Sequence, residues 1–154
     1  MVVYADTSFL FSFYSLDANS TRARYEWNSM APDVPIIFTA LQQHELYNAL
    51  WLSVFWKKMP VNKIRGIQTN IAADIQNGTL QQIGIEWDVA FARAENIAQE
   101  HTPVIGCRAS DILHVALAQL LGVDTFYSFD NRQRALAQQT GLIVKPNLQP
   151  QPIP

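Results

Sequence analysis

The stretch Met1-Val2-Val3-Tyr4-Ala5-Asp6-Thr7-Ser8 decides the fold. Its first five residues lack polar alternation, a pattern typical of a strand that is buried on both faces of a parallel sheet. The strand ends at Asp6, and a helix is predicted to begin near Phe9. Ligands of open α/β sheets bind beyond the carboxyl ends of the strands, so Asp6 lies where chemistry is usually done. The alternative is that Asp6 only caps the following helix.

Length and charge narrow the class of protein. The 154 residues suffice for one domain with an ordinary core. The formal net charge of -2 gives no general attraction to nucleic acid, so a polyanion would need a local patch or a bound cation. The single cysteine, Cys107, has no disulfide partner and is expected to be buried. Short apolar runs and the absence of a signal-like segment predict a soluble cytoplasmic protein without a membrane span.

Strands and helices alternate along the chain, which predicts a three-layer α/β/α fold with a mostly parallel central sheet over residues 1–145. Residues 146–154 are rich in proline and are predicted to form an extended tail with little to pack. His101-Thr102-Pro103 is expected to end the fifth helix. The further strands are predicted at 36–38, 80–83, 123–128 and 142–144, and the helices at 9–14, 21–30, 40–57, 60–76, 86–100, 112–121 and 132–139.

The third predicted helix carries a glutamate of interest. Counted in turns from Leu41, Glu45 shares a face with Ala49 and Leu52, which we interpret as the core face. An unpaired buried carboxylate is costly, so Glu45 is expected to be paired, protonated or bound to a cation. The alternative is a partly exposed glutamate near the positive end of the helix dipole.

Four acids share one structural description in this interpretation. Two of them follow strand ends and two lie in the first turns of helices, so all four are expected to meet in one crevice. Neighbouring carboxylates repel unless a cation neutralises them. Oxygen ligands suit Mg²⁺ or Mn²⁺, and the lack of a Cys/His cluster argues against zinc. Such ions activate water and neutralise a leaving oxygen, which indicates hydrolysis of a nucleic-acid backbone. The four acids are Asp6, Glu45, Asp111 and Asp130.

The motifs at these positions resemble the PIN-domain family, and within it the VapC-type toxins of prokaryotic toxin-antitoxin pairs. The resemblance runs from Met1 to about Val144. It implies that the four acids bind the metal of a Mg²⁺- or Mn²⁺-dependent ribonuclease, with Thr7, Ser8 and Ser128 ordering the site. The motifs are Asp6-Thr7-Ser8, Glu45, Arg108-Ala109-Ser110-Asp111-Ile112-Leu113-His114-Val115-Ala116 and Ser128-Phe129-Asp130. Where some relatives carry a further acid, this chain has Asn131, which weakens a second metal site.

The resemblance also implies partners. It implies an RNA substrate, a homodimer and a small antitoxin that lies in a groove beside the second to fourth helices. Here that groove would involve Trp51, Phe55 and Trp56. These aromatic side chains are equally compatible with the core, and we expect at least two of them to be core residues.

Two other residues have open or ordinary interpretations. Arg108 precedes the sixth helix and either braces Asp111 or contacts phosphate. His114, one turn after Asp111, is expected to be a core-edge histidine bonded to backbone rather than a group that orients water.

Three competing functions remain. A haloacid-dehalogenase-type phosphatase also opens with an aspartate after its first strand, but it needs a second aspartate where this chain has Ser8. A non-toxin PIN nuclease would process RNA. A catalytically degenerate PIN scaffold would bind RNA or a partner without cleaving, and the four acids argue against it.

Overall fold

The computed structural model describes residues 2–31 and 33–148. The chain forms two compact units, the first made of Met1–Asp6 with Ile85–Pro154 and the second of Thr7–Gly84. The chain has the three-layer α/β/α fold class predicted from the sequence. Its elements are β1 Val3–Ala5, α1 Thr7–Tyr14, α2 Ser20–Asn28, β2 Ile36–Phe38, α3 Ala40–Phe55, α4 Val61–Gln76, β3 Leu80–Gln82, α5 Trp87–Ile105, α6 Ala109–Leu120, β4 Thr125–Tyr127, α7 Asn131–Gln139 and β5 Ile143–Lys145.

The first unit is built on three parallel strands. β4 pairs with β1 on one side and with β5 on the other. Tyr4 lies opposite Phe126 in the register, and their rings stack with centroids 5.5 Å apart. All three residues of β1 are buried, as the uninterrupted apolar run predicts.

Helix α6 runs through the interior of this unit. Every residue from Asp111 to Ala118 is buried, as is typical of a helix that is apolar nearly all round. His114 is among them, and its Nδ1 lies 2.8 Å from the Tyr4 hydroxyl. The histidine is therefore buried as expected, and the hydrogen bond that joins α6 to β1 is made to a side-chain hydroxyl rather than to the predicted backbone group.

The second unit contains the parallel pair β2 and β3. Thr39 caps α3, in a capping box in which the Gln42 side chain accepts from the Thr39 backbone N–H at 2.7 Å. Gln42 is completely buried, because its amide also donates to the Ile37 carbonyl at 3.0 Å. The buried stripe of α3 is Gln42, Leu46, Leu50 and Ser53. The core face predicted by counting from Leu41 is therefore wrong, because the buried face of α3 begins one residue later, at Gln42.

The aromatic residues at the end of α3 are exposed. Trp51 is 40% exposed, Phe55 77% and Trp56 56%. The expectation that at least two of them are core residues is wrong. Because Gln42 fixes which face of α3 is buried, these three positions fall outside the buried stripe.

Helix α5 continues past the expected stop at His101-Thr102-Pro103. It ends at Ile105, followed by Gly106 in the left-handed conformation at φ 70°. Pro103 lies in the last turn, where a missing N–H removes a single bond, and the burial of Ile105 favours continuation. No helix within residues 2–31 and 33–148 has both the length and the apolar character that a bilayer span requires.

The chain after β5 departs from the predicted loose tail at its first residue. Pro146 is buried, and its carbonyl accepts a hydrogen bond from Arg134 at 2.8 Å. The remaining tail prediction, for residues 149–154, lies outside the described residues.

A half-buried tyrosine in the second unit makes stability depend on pH. Tyr14 of α1 donates its hydroxyl hydrogen to Asp74 of α4 at 2.6 Å. Burial, reinforced by this hydrogen bond and the Asp74 charge, raises the pKa of Tyr14 above its ordinary value. In the unfolded chain the phenol ionises near pH 10, whereas in the folded chain it stays protonated. Stability is therefore present below pH 10 and declines above it.

Tyr14→Phe is expected to reveal this linkage. At pH 7 the substitution should lower the free energy of unfolding by about 1.5–3 kcal/mol, the range for a hydrogen bond to a charged group. Above pH 10 the advantage of the wild type should shrink by up to about 1.4 kcal/mol per pH unit. Urea denaturation between pH 7 and pH 11 measures both quantities. Parallel pH profiles for the two proteins would show that Tyr14 does not control this dependence.

Candidate metal centre

Asp6 and Ser128 lie at the carboxyl ends of two neighbouring parallel strands. The Asp6 N–H donates to the Tyr127 carbonyl at 2.9 Å, which continues the pairing of β1 with β4. Ser128, fully buried, donates its hydroxyl hydrogen to Asp6 Oδ2 at 2.6 Å. A bond this short to a carboxylate is of the strong, charge-assisted kind. The parallel pairing therefore places the Asp6 carboxylate beside the loop that follows β4.

Asp130 is joined to the same hydroxyl. Its backbone N–H donates to Ser128 Oγ at 3.0 Å. Its Oδ1 caps α7 by accepting from the backbone N–H groups of Arg132 and Gln133, at 3.0 and 3.1 Å. The other carboxylate oxygen, Oδ2, faces Arg108. One serine hydroxyl thus bonds to both the Asp6 carboxylate and the Asp130 backbone N–H.

Arg108 connects Asp130 to Asp111. Its Nη2 donates to Asp130 Oδ2 at 2.8 Å, and its Nε donates to Asp111 Oδ2 at 3.1 Å. The Arg108 backbone N–H also donates to Asp111 Oδ2 at 3.1 Å, which sets Asp111 in the first turn of α6. Hydrogen bonding and charge from Asp111, with a smaller contribution from Asp130, raise the pKa of Arg108. Of the two interpretations of Arg108, the structure contains the brace on Asp111.

A second arginine, which the sequence reasoning missed, supports the loop after β4. The buried guanidinium of Arg134 donates to the carbonyls of Ser128, Lys145 and Pro146 at 2.8, 3.2 and 2.8 Å. Burial lowers the pKa of Arg134, and the Asp6 charge opposes that shift. In the sequence, the only clue to its burial is its position within the predicted helix 132–139. In the structure it shares the buried face of α7 with Gln133, Leu136 and Ala137.

Cys107 directly precedes Arg108 and is buried, as expected. Burial raises the pKa of its thiol, and the negative charge of Asp111 raises it further. Both effects favour the protonated thiol.

Glu45 and Thr7 belong to the second unit. The Thr7 hydroxyl donates to Glu45 Oε2 at 2.6 Å, so Glu45 has a hydrogen-bond partner although it lies outside the buried stripe of α3. Glu45 is half-buried in the second turn of α3, and Ser8 is half-buried one residue after Thr7. His44, the residue before Glu45, is exposed.

The donors of the first unit have the chemistry of a hard-cation site. Carboxylate and hydroxyl oxygens are the ligands that Mg²⁺ and Mn²⁺ prefer. Within residues 2–31 and 33–148, no three Asp, Glu, His or Cys side chains are grouped as ligands of one ion. Three acids are nevertheless tied into one network, Asp6 to Asp130 through Ser128 and Asp130 to Asp111 through Arg108. The residues fit the metal by donor type, and Arg108 supplies the positive charge in this conformation.

The fold resembles two solved structures, each 17% identical in sequence. One is VapC20 of Mycobacterium tuberculosis, a sarcin-ricin loop cleaving toxin; the TM-score is 0.66, with 92% of this chain and 96% of that chain covered. The other is FitAcB from Neisseria gonorrhoeae, with a TM-score of 0.62 and coverages of 93% and 96%. No curated protein sequence matches the chain significantly.

A family profile covers most of the chain. The PIN domain profile matches residues 3–139, a range that spans β1 to α7. All four acids singled out in the sequence, and the serine and arginine that join three of them, fall within the matched range. The chain therefore belongs to the PIN domain family.

Proposed function

We propose that the chain is a Mg²⁺- or Mn²⁺-dependent endoribonuclease and the toxin of a type II toxin-antitoxin pair. The observation that carries the proposal is the network in which Ser128 and Arg108 join Asp6, Asp130 and Asp111. Asp111 and Asp130 share the guanidinium of Arg108 as their counter-charge, so this place already accommodates a cation, and polyanionic RNA is a substrate that a bound cation suits. The similarity to VapC20, a sarcin-ricin loop cleaving toxin, supports RNA as the substrate class.

The proposed metal ligands are Asp6, Asp111 and Asp130, with Glu45 as predicted from the sequence. When bound, the ion supplies an activated water and neutralises charge on the leaving oxygen. PIN nucleases generally use divalent metals such as Mg²⁺. The family assignment thus supports the same cofactor as the donor chemistry.

The surrounding side chains orient these ligands. Ser128 donates to the Asp6 carboxylate and accepts from the Asp130 backbone N–H, and Thr7 donates to the Glu45 carboxylate at 2.6 Å. Such outer-shell partners fix the direction of ligand lone pairs and matter for metal affinity almost as much as the ligands do. Ser8 is proposed to support this arrangement from the first turn of α1.

The proposed partner is a small antitoxin that buries an apolar segment against the second unit. A groove of about 330 Å³ lies there, with an acidic and a basic residue, Asp17 and Lys58, on its wall. The exposed Phe55 and Trp56 are large apolar side chains of the kind that anchor protein interfaces. The apolar lining consists of Phe11, Leu16, Ala49, Leu52, Trp56 and Met59. We also propose that the protein is a homodimer and acts in the cytoplasm.

The partner hypothesis has a genetic and biochemical test. A short open reading frame next to the gene should encode a protein that co-purifies with this chain and relieves its effect on growth. If the neighbouring DNA holds no such frame and overexpression does not slow growth, a non-toxin RNA-processing nuclease becomes the better assignment.

The nuclease proposal is tested with purified protein and bulk cellular RNA. Cleavage is expected in the presence of Mn²⁺ and should stop when EDTA removes the metal. The degenerate-scaffold alternative gives the opposite result, with RNA binding but no cleavage under either condition.

A further inference from the structure

The guanidinium of Arg108 bridges two of the proposed metal ligands. A single nitrogen, Nη2, lies 2.8 Å from Asp130 Oδ2 and 3.5 Å from Asp111 Oδ1. The Nε of the same group lies 3.1 Å from Asp111 Oδ2. Arg108 therefore uses the carboxylate oxygens that a divalent ion would need.

The Arg108 side chain is more exposed than the two carboxylates it bonds, which favours its replacement by a metal ion. Asp111 is buried and Asp130 is half-buried, with side-chain exposures of 5% and 29%. The Arg108 side chain is 61% exposed. The carboxylates are thus fixed in place, whereas the arginine can turn into solvent without unpacking the core. An arginine cannot lose its charge at neutral pH, so its repulsion of a second cation is removed only by movement.

We propose that Arg108 is an internal counter-ion that holds Asp111 and Asp130 in the metal-free protein and competes with the divalent cation for them. The proposal rests on the proposed function, because it assumes that these acids bind a metal. It makes Arg108 a positioning residue in the absence of metal and a competitor during metal binding. Removing it should tighten metal binding.

Three possible roles of Arg108 predict different changes in Mn²⁺ affinity when Arg108→Gln is compared with the wild type. A competitor predicts tighter binding, by about tenfold to a hundredfold if one charge-assisted hydrogen bond is lost on metal entry. A brace that prearranges the ligands predicts weaker binding. A residue that only contacts RNA phosphate predicts no change.

The experiment is calorimetric titration of the full chain with Mn²⁺ alone, at fixed ionic strength and without RNA. Arg108→Gln is compared with the wild type and with Arg108→Lys, which keeps the charge but loses the fork and should bind with intermediate affinity. Arg93→Gln is the matched control, because Arg93 bonds to Gln119 rather than to the acids. Its Mn²⁺ affinity should equal that of the wild type.

Thermal unfolding gives a second readout that does not depend on activity. In EDTA, Arg108→Gln should melt below the wild type, because the acids lose their counter-ion. With Mn²⁺ it should gain more melting temperature than the wild type gains, since tighter ligand binding stabilises the folded state further.

The outcomes separate this proposal from the proposed function. Tighter binding by Arg108→Gln supports the competitor role, and so does binding by that variant alone. Equal or weaker binding by the variant, with clear binding by the wild type, overturns the competitor role and leaves the metal site in place. If neither protein binds Mn²⁺, the metal site fails and the competitor role fails with it.

Discussion

Asp111→Asn is expected to reduce Mn²⁺-dependent cleavage of RNA by on the order of 1,000-fold. A bound metal contributes several kcal/mol to transition-state stabilisation, and about 4 kcal/mol corresponds to this factor. The asparagine side chain keeps one oxygen that can accept from the Arg108 backbone N–H, so the start of α6 should be preserved. Asp6→Asn is expected to have a comparable effect, because its carboxylate is fixed by Ser128.

The measurement is the initial rate of RNA cleavage together with thermal unfolding in EDTA. The variant should melt within about 4 °C of the wild type, since a change of about 1 kcal/mol shifts a domain of this size by that much. Asp124→Asn is the matched control, an exposed aspartate in the same unit. It should cleave at the wild-type rate. Wild-type cleavage by Asp111→Asn or Asp6→Asn would remove the proposed mechanism.

Phe126→Ala should have the largest effect on stability. Phe126 is fully buried in β4, and its ring stacks on Tyr4 of β1 at 5.5 Å. Truncating a buried phenylalanine costs about 3–5 kcal/mol in the free energy of unfolding, because apolar contacts are lost and a cavity remains. The lost ring pair contributes within that range.

Denaturation in urea measures this effect, with Phe91→Ala as the matched control. Phe91 lies in α5 of the same unit and is 52% exposed, so its truncation should change the free energy of unfolding by no more than about 0.5–1 kcal/mol. If the two variants lost similar stability, the stacked pair of Tyr4 and Phe126 would not be the centre of this core.

The positions of Asp6 and Ser128 were predictable because parallel strands end at the same edge of a sheet. The sequence also predicted a helix at 112–121, directly after Asp111, where the structure has α6. The haloacid-dehalogenase alternative, already weakened by Ser8, is wrong because the chain belongs to the PIN domain family. Features that depend only on the order of strands and helices were therefore accessible without a structure.

Side-chain bonding between distant residues was not accessible in the same way. Gln42 is polar, yet its two hydrogen bonds make it a core residue and fix the buried face of α3. Arg134 is charged, yet three carbonyls allow its burial. In both cases a pattern that counts apolar residues misses the buried side chain, because a polar group can be buried once its hydrogen bonds are satisfied.

Arg108 is a third residue whose bonding could not be predicted from the sequence. Its position before the sixth helix left open whether it braces Asp111 or contacts phosphate. Its bond to Asp130, 22 residues away, depends on how the loop after β4 turns. That bond is what joins the two acids, so the counter-ion role could be inferred only from the three-dimensional arrangement.

The central claim is that the joined carboxylates act with a divalent ion to hydrolyse RNA. The most direct test incubates the purified chain with a cellular RNA pool, once with Mn²⁺ and once with Mn²⁺ and excess EDTA, and maps the new RNA ends. We predict discrete new ends that form with Mn²⁺, vanish with EDTA and are absent for Asp111→Asn. The same ends formed equally in EDTA, or by Asp111→Asn, would contradict the claim.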